Sequence, residues 1–176
     1  KKNEIKFYLR TLKLNPKHFN AYNNLALAYY ELGETKKSIE FYRKANSIKP
    51  EDYLVRDNLA CALLRHYHFE EGFKLFESRL EQPNKQNIIK SNELERIWNG
   101  EDLNAKSILI ISEQGFGDTI QFARYAYELS DFYKTNIFFL VSKKIIHLFD
   151  QKKLKIIAKG NKIPKYDYYS FLQSLP

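Results

Sequence analysis

Methionine is absent from all 176 residues, and cysteine occurs only at position 61. A lone Cys61 excludes an internal disulfide framework, and its place on an apolar helical face reads as a buried structural thiol. A reducing cytoplasm is the compartment this implies. The lack of methionine, position 1 included, is what a chain beginning inside a longer protein would show. Long apolar runs are missing too: residues 108–111 and 137–141 are far too short to span a bilayer, and no apolar signal core follows the lysine-rich start. Membrane spans are therefore not expected. No Ser-His-Asp or Cys-His arrangement is legible. His66 and His68 lie at an interhelical turn without the acids or thiols that would close a zinc shell, so no metal site is read.

A net charge of +8, carried by lysines mixed with acids along the chain, gives a generally basic surface. No RNA- or DNA-reading motif accompanies it, so nucleic acid is not the expected partner. The length suits two small modules.

A shift of thirty-four residues superimposes Ile5, Ile39 and Phe73, then Phe7, Phe41 and Leu75, then Tyr8, Tyr42 and Phe76. It also carries Pro16 onto Pro50, and Asn24, Leu25 and Ala26 onto Asn58, Leu59 and Ala60. Apolar residues at helical spacing make each unit a pair of amphipathic helices, with Gly33 turning the chain between them. This pattern resembles the tetratricopeptide repeat. Residues 19–52 place Tyr22, Leu25, Ala26, Tyr29, Gly33, Tyr42, Ala45 and Pro50 at the family's positions, with Ser38 replacing the usual alanine. Residues 1–84 then divide into a partial repeat over 1–18, a repeat over 19–52 and a degenerate one over 53–84, in which Tyr67 replaces the turn glycine. The flank of the first helix needs upstream repeats or an intermolecular contact, a homo-oligomer among them.

The resemblance implies a concave surface built from the first helix of each pair. Here it includes Asn20, Asn23, Asn24, Leu27 and Tyr30, then Leu54, Asp57, Asn58 and Cys61. Its expected occupant is a protein or peptide. The amides of Asn24 and Asn58 can donate to and accept from an extended backbone, resembling the asparagine ladder of O-linked N-acetylglucosamine transferase repeats. The alternative is that they bond neighbouring backbone within the solenoid.

Residues 85–103 read as a junction, with Trp98 either packing or stacking on a sugar. Beyond it, strands are expected at 107–112, 136–142 and 154–158, and helices at 119–132 and 143–151. That alternation predicts right-handed crossovers and a parallel sheet over 104–176, with the Gly115/Gly117 loop at the carboxyl end of its first strand. Residues 166–169 could be helix or strand. The glycine spacing in Glu113-Gln114-Gly115-Phe116-Gly117-Asp118 matches neither a dinucleotide fingerprint nor a Walker loop.

Taken with Trp98-Asn99-Gly100, Ile108-Leu109-Ile110, Gln121-Phe122-Ala123-Arg124-Tyr125 and Ser174-Leu175-Pro176, however, this element resembles bacterial tetratricopeptide proteins that carry a heptosyltransferase-like domain. The fold class is then α plus α/β: a helical solenoid followed by a partial Rossmann-like parallel sheet, the N-terminal half of a GT-B fold. The resemblance implies an inverting glycosyltransferase that takes a nucleotide-sugar donor; nothing in the sequence requires a divalent metal. It makes Asp118 the base for a sugar acceptor's hydroxyl, with Gly115 and Gly117 shaping the loop and Gln114 and Gln121 bonding sugar hydroxyls. Asp118 could instead cap the helix that follows it. Arg124 is read as facing solvent or pairing with Glu128. No donor-binding half is readable, so these 176 residues alone are expected to be inactive and to bind no cofactor. A non-catalytic interaction scaffold is the other reading.

Overall fold

The computed structural model describes residues 1–82 and 96–176, in two compact units, Lys1–Gln86 and Asn87–Pro176. Part of the expected junction, residues 85–95, and the end of the degenerate repeat, residues 83–84, lie outside the described residues.

The first unit is a series of helices: α1 Lys2–Leu14, α2 Phe19–Glu31, α3 Thr35–Ile48, α4 Tyr53–Arg65 and α5 Phe69–Phe76. Helix starts recur with the repeat. The His18 ring nitrogen accepts from the Ala21 amide at 3.1 Å, and thirty-four residues later Asp52 accepts from Val55 at 3.0 Å. Ala26, Ile39, Tyr42, Ala45, Val55, Leu59, Ala62 and Leu63 form the core, whose alanines let helix axes approach closely. The degenerate repeat keeps this geometry with different residues. Gly72 stands where Ser38 stands one repeat earlier, and a Cβ there would lie 2.8 Å from the Leu64 side chain. Tyr67 takes the left-handed turn at φ 64, as Gly33 does at φ 78. α5 stops at Phe76, and a 3-10 turn, Glu77–Glu81, replaces its last turns. α1 buries no side chain fully and leaves Phe7 and Leu14 exposed. Among the described residues, no helix is long and apolar enough to cross a membrane.

The second unit runs β1 Ser107–Ile111, α6 Phe116–Phe132, β2 Asn136–Val141, β3 Lys155–Ala158 and β4 Tyr168–Phe171. The strands are all parallel in the order β3-β2-β1-β4, with Ile108 opposite both Ile137 and Tyr168. The undecided segment near 166–169 is thus the start of β4, paired with β1 on the side away from β2. Ala123 and Ala126 seat α6 against Ile108, Ile110, Ile137 and Phe139, and small residues at that contact keep the helix close to the sheet. The helix expected over 143–151 is shorter and tighter, a 3-10 segment Lys143–Leu148. Buried Phe149 leaves the helical path and meets Phe139 edge-on, with ring centroids 5.2 Å apart.

Candidate functional site at the carboxyl edge of the sheet

The chain runs from β1 to β2 and β3 on one side and then returns past β1 to β4 on the other, so the strand order reverses at β1. In open parallel sheets this reversal opens a crevice outside the strand ends. Ser112, which is buried, closes β1 by donating both its amide and its hydroxyl to the Leu140 carbonyl, at 3.1 and 2.9 Å. Glu113 and Gln114, both half-buried, lead into α6.

The helix starts three residues earlier than the expected 119. Gly115 occupies the cap position with extended backbone, φ −64 and ψ 173, and no side chain caps the end. Asp118 is therefore the third residue of the helix, which corrects the capping alternative. Thr119 closes the first turn by donating its amide and hydroxyl to the Gly115 carbonyl at 3.0 and 2.9 Å. The Asp118 carboxylate folds back over Gly115, so a Cβ there would sit 3.4 Å from its Oδ2. Neither Gly115 nor Gly117 needs a positive φ; above Gly117 the space is open to at least 4 Å. Gln121 follows Asp118 by three residues, which sets both exposed side chains on one stretch of helix surface.

The site also holds a residue the sequence reading passed over. Lys159, the first residue after β3, donates its amide to the Val141 carbonyl at 2.8 Å and its ammonium to the Ser112 carbonyl. Burial lowers its pKa, and the charge of Glu113 opposes that shift. Its only sequence signal was position at a strand end in a lysine-rich run. Gln173, just past β4, is buried, and its Oε1 has no hydrogen-bond partner among the described residues. Arg124 does not pair with Glu128; its guanidinium lies over the Tyr125 ring and donates to that hydroxyl at 2.8 Å. Trp98 packs against the core of its own unit, with its indole N–H donating to the Glu101 carbonyl at 2.8 Å.

In the first unit the groove residues fall on α2 and α4 at matching positions. Asn20, exposed, and Asn24, half-buried, flank Asn23, whose amide nitrogen donates to Asn24 Oδ1 at 3.5 Å. Leu27 and Leu54 are exposed, whereas Asp57 and Asn58 are half-buried. Among the described residues, neither Asn24 nor Asn58 bonds backbone through its side chain. Tyr30 is engaged by Arg65, which stacks on its ring at 4.8 Å and donates to its carbonyl at 3.2 Å. Cys61 is half-buried rather than enclosed; burial first, then the charge of Asp57, pushes its thiol up to about 11, so it stays protonated at neutral pH. His66 and His68 stack on each other, centroids 5.3 Å apart, and no metal-binding group of three side chains exists among the described residues.

Comparison with known proteins places a tetratricopeptide repeat at residues 19–52. Protein FlbA of Caulobacter vibrioides is 27% identical over 168 residues, an alignment covering 93% of this chain and 28% of that protein's length. Among solved structures, MamA is 32% identical over 48% of this chain and 50% of its own, with a TM-score of 0.42. An O-GlcNAc transferase mutant of Thermobaculum terrenum is 13% identical over 88% of this chain and 37% of its own, with a TM-score of 0.43.

Proposed function

We propose that this chain joins a protein-binding repeat groove to the acceptor half of a cytoplasmic, nucleotide-sugar-dependent glycosyltransferase. The protein-binding part follows from the tetratricopeptide repeat at 19–52. The observation that carries the transferase reading is an exposed carboxylate, Asp118, in the first turn of α6 beside the reversal in strand order, with open space above Gly117.

In this mechanism Asp118 accepts the proton of the acceptor hydroxyl as that oxygen attacks the anomeric carbon of the donor sugar. A new glycosidic bond forms, the bond to the leaving nucleotide phosphate breaks, and the configuration inverts. Gln114 and Gln121 orient acceptor hydroxyls on either side of the carboxylate. Gly117 leaves room for a sugar ring against the helix start.

The chain spans 28% of FlbA's length, so the assay belongs to the full-length protein. With a nucleotide sugar and a saturating acceptor, Asp118→Asn should lower kcat by roughly 10²- to 10⁴-fold with little change in KM. Undiminished transfer by that variant removes Asp118 as the base.

A further inference from the structure

We propose that α6, together with Trp98 and Leu175, carries a binding site for an alkylammonium group, the head of a lysine side chain presented by a partner polypeptide. The site is a pocket of about 250 Å³ lined by Trp98, Tyr125, Glu128, Leu129, Phe132 and Leu175. Its four helix residues recur at i, i+3, i+4 and i+7, so they form one continuous stripe. Three are apolar or aromatic, and Phe132 is 79% exposed.

The chemistry of the lining selects the ligand. Trp98 and Phe132 put aromatic rings, whose quadrupole attracts a cation, in the same lining as the Glu128 carboxylate. Glu128 makes no hydrogen bond or ion pair among the described residues, although the chain as a whole carries +8. Tyr125 already has the Arg124 cation over its ring and on its hydroxyl, and the Trp98 indole N–H is committed to Glu101. Glu128 is therefore the acceptor side chain left for a ligand, beside the proton that the Tyr125 hydroxyl can still donate. A sugar would bury several hydroxyls against one acceptor, leaving the rest unpaired. A purely apolar side chain would desolvate the carboxylate with nothing in return. A guanidinium would leave donors unmet at a single carboxylate, whereas an ammonium on a flexible apolar stem matches both the aromatic rings and the charge.

Trp98 is the one tryptophan in the chain, so its fluorescence reports directly on the pocket. The 176-residue protein would be titrated with a blocked Gly-Lys-Gly peptide, with the norleucine and Nε-acetyl-lysine versions, and with methyl glucoside. The expected result is a saturable Trp98 shift for the lysine peptide alone, weakened about threefold to tenfold by Glu128→Gln and by Phe132→Ala. Both positions are exposed, and circular dichroism verifies that the variants fold. No saturable shift with the lysine peptide, equal affinity for the norleucine peptide, saturation by the glucoside instead, or unchanged affinity in Glu128→Gln would each overturn the assignment.

Discussion

Ser38 is fully buried, and its hydroxyl has no hydrogen-bond partner among the described residues. The repeat requires a small side chain there, not a polar one: its counterpart Gly72 has no room even for a Cβ. Ser38→Ala removes the stranded hydroxyl while keeping the Cβ, and should stabilise the first unit by roughly 1 kcal/mol. A rise in the denaturation midpoint at constant slope checks this; a fall would show that the hydroxyl is satisfied in solution. Tyr67 marks the opposite kind of substitution. A tyrosine in the left-handed region is strained by clash of its Cβ, and because the ring is 80% exposed, burial returns little. The turn holds nonetheless, through amide bonds from Tyr67 to Leu64 and from His68 to Leu63 at 3.1 and 3.0 Å. Arg79 is the residue whose environment a charge count misrepresents. It is fully buried, donates to the Phe76 carbonyl at 3.0 Å and to Glu77 at 2.7 Å, and lies over the Phe76 ring. Buried charge survives only with such partners.

Among the elements, β4 depends on a clip at its start. One oxygen of Asp167 accepts from the Ser107 amide at 2.8 Å and from its hydroxyl at 2.9 Å, while the Asp167 amide donates to the Ser107 carbonyl at 3.0 Å. The Ser107 amide, then its hydroxyl, hold the carboxyl below its ordinary pKa. The folded state therefore favours the ionised form. That contribution is complete above the ordinary aspartate value of about 4 and disappears as pH falls through the depressed one. Asp167→Asn should melt lower than the wild type near neutral pH and lose less stability between about pH 5 and about pH 2. Melting curves across that range decide it, and identical acid slopes would mean that the clip is not titrating. Elsewhere continuous apolar runs marked β1 and β2 to within a residue, because strand patterning is local. The start of α6 was not legible. Glycines usually end a helix, but Gly117 lies in a first turn where backbone amides need no intrahelical partner, so its presence costs little. The segment after β2 failed for another reason: burial of Phe149 against Phe139 overrode its helical spacing.

At the scale of the whole molecule, the repeat sets Asn24 and Asn58 at equivalent positions of α2 and α4, thirty-four residues apart. For a peptide selected on the wild-type protein, replacing both with alanine should weaken binding by roughly tenfold, the worth of two neutral hydrogen bonds, with helicity unchanged. Calorimetry beside far-ultraviolet circular dichroism measures both; undiminished affinity would assign the asparagines to the scaffold. The repeat's phase, its helix starts and the parallel character of the sheet were determined by the sequence alone. Each rests on a pattern that recurs along the chain, and such a pattern survives in one dimension. Tertiary structure alone decided that β4 returns to the far side of β1. It also brought the Lys159 ammonium to the Ser112 carbonyl across a separation of 47 residues and, among the described residues, left Glu128 unpaired in a pocket shared with Trp98. Those juxtapositions are set by which buried surfaces pack together, and no local period encodes them.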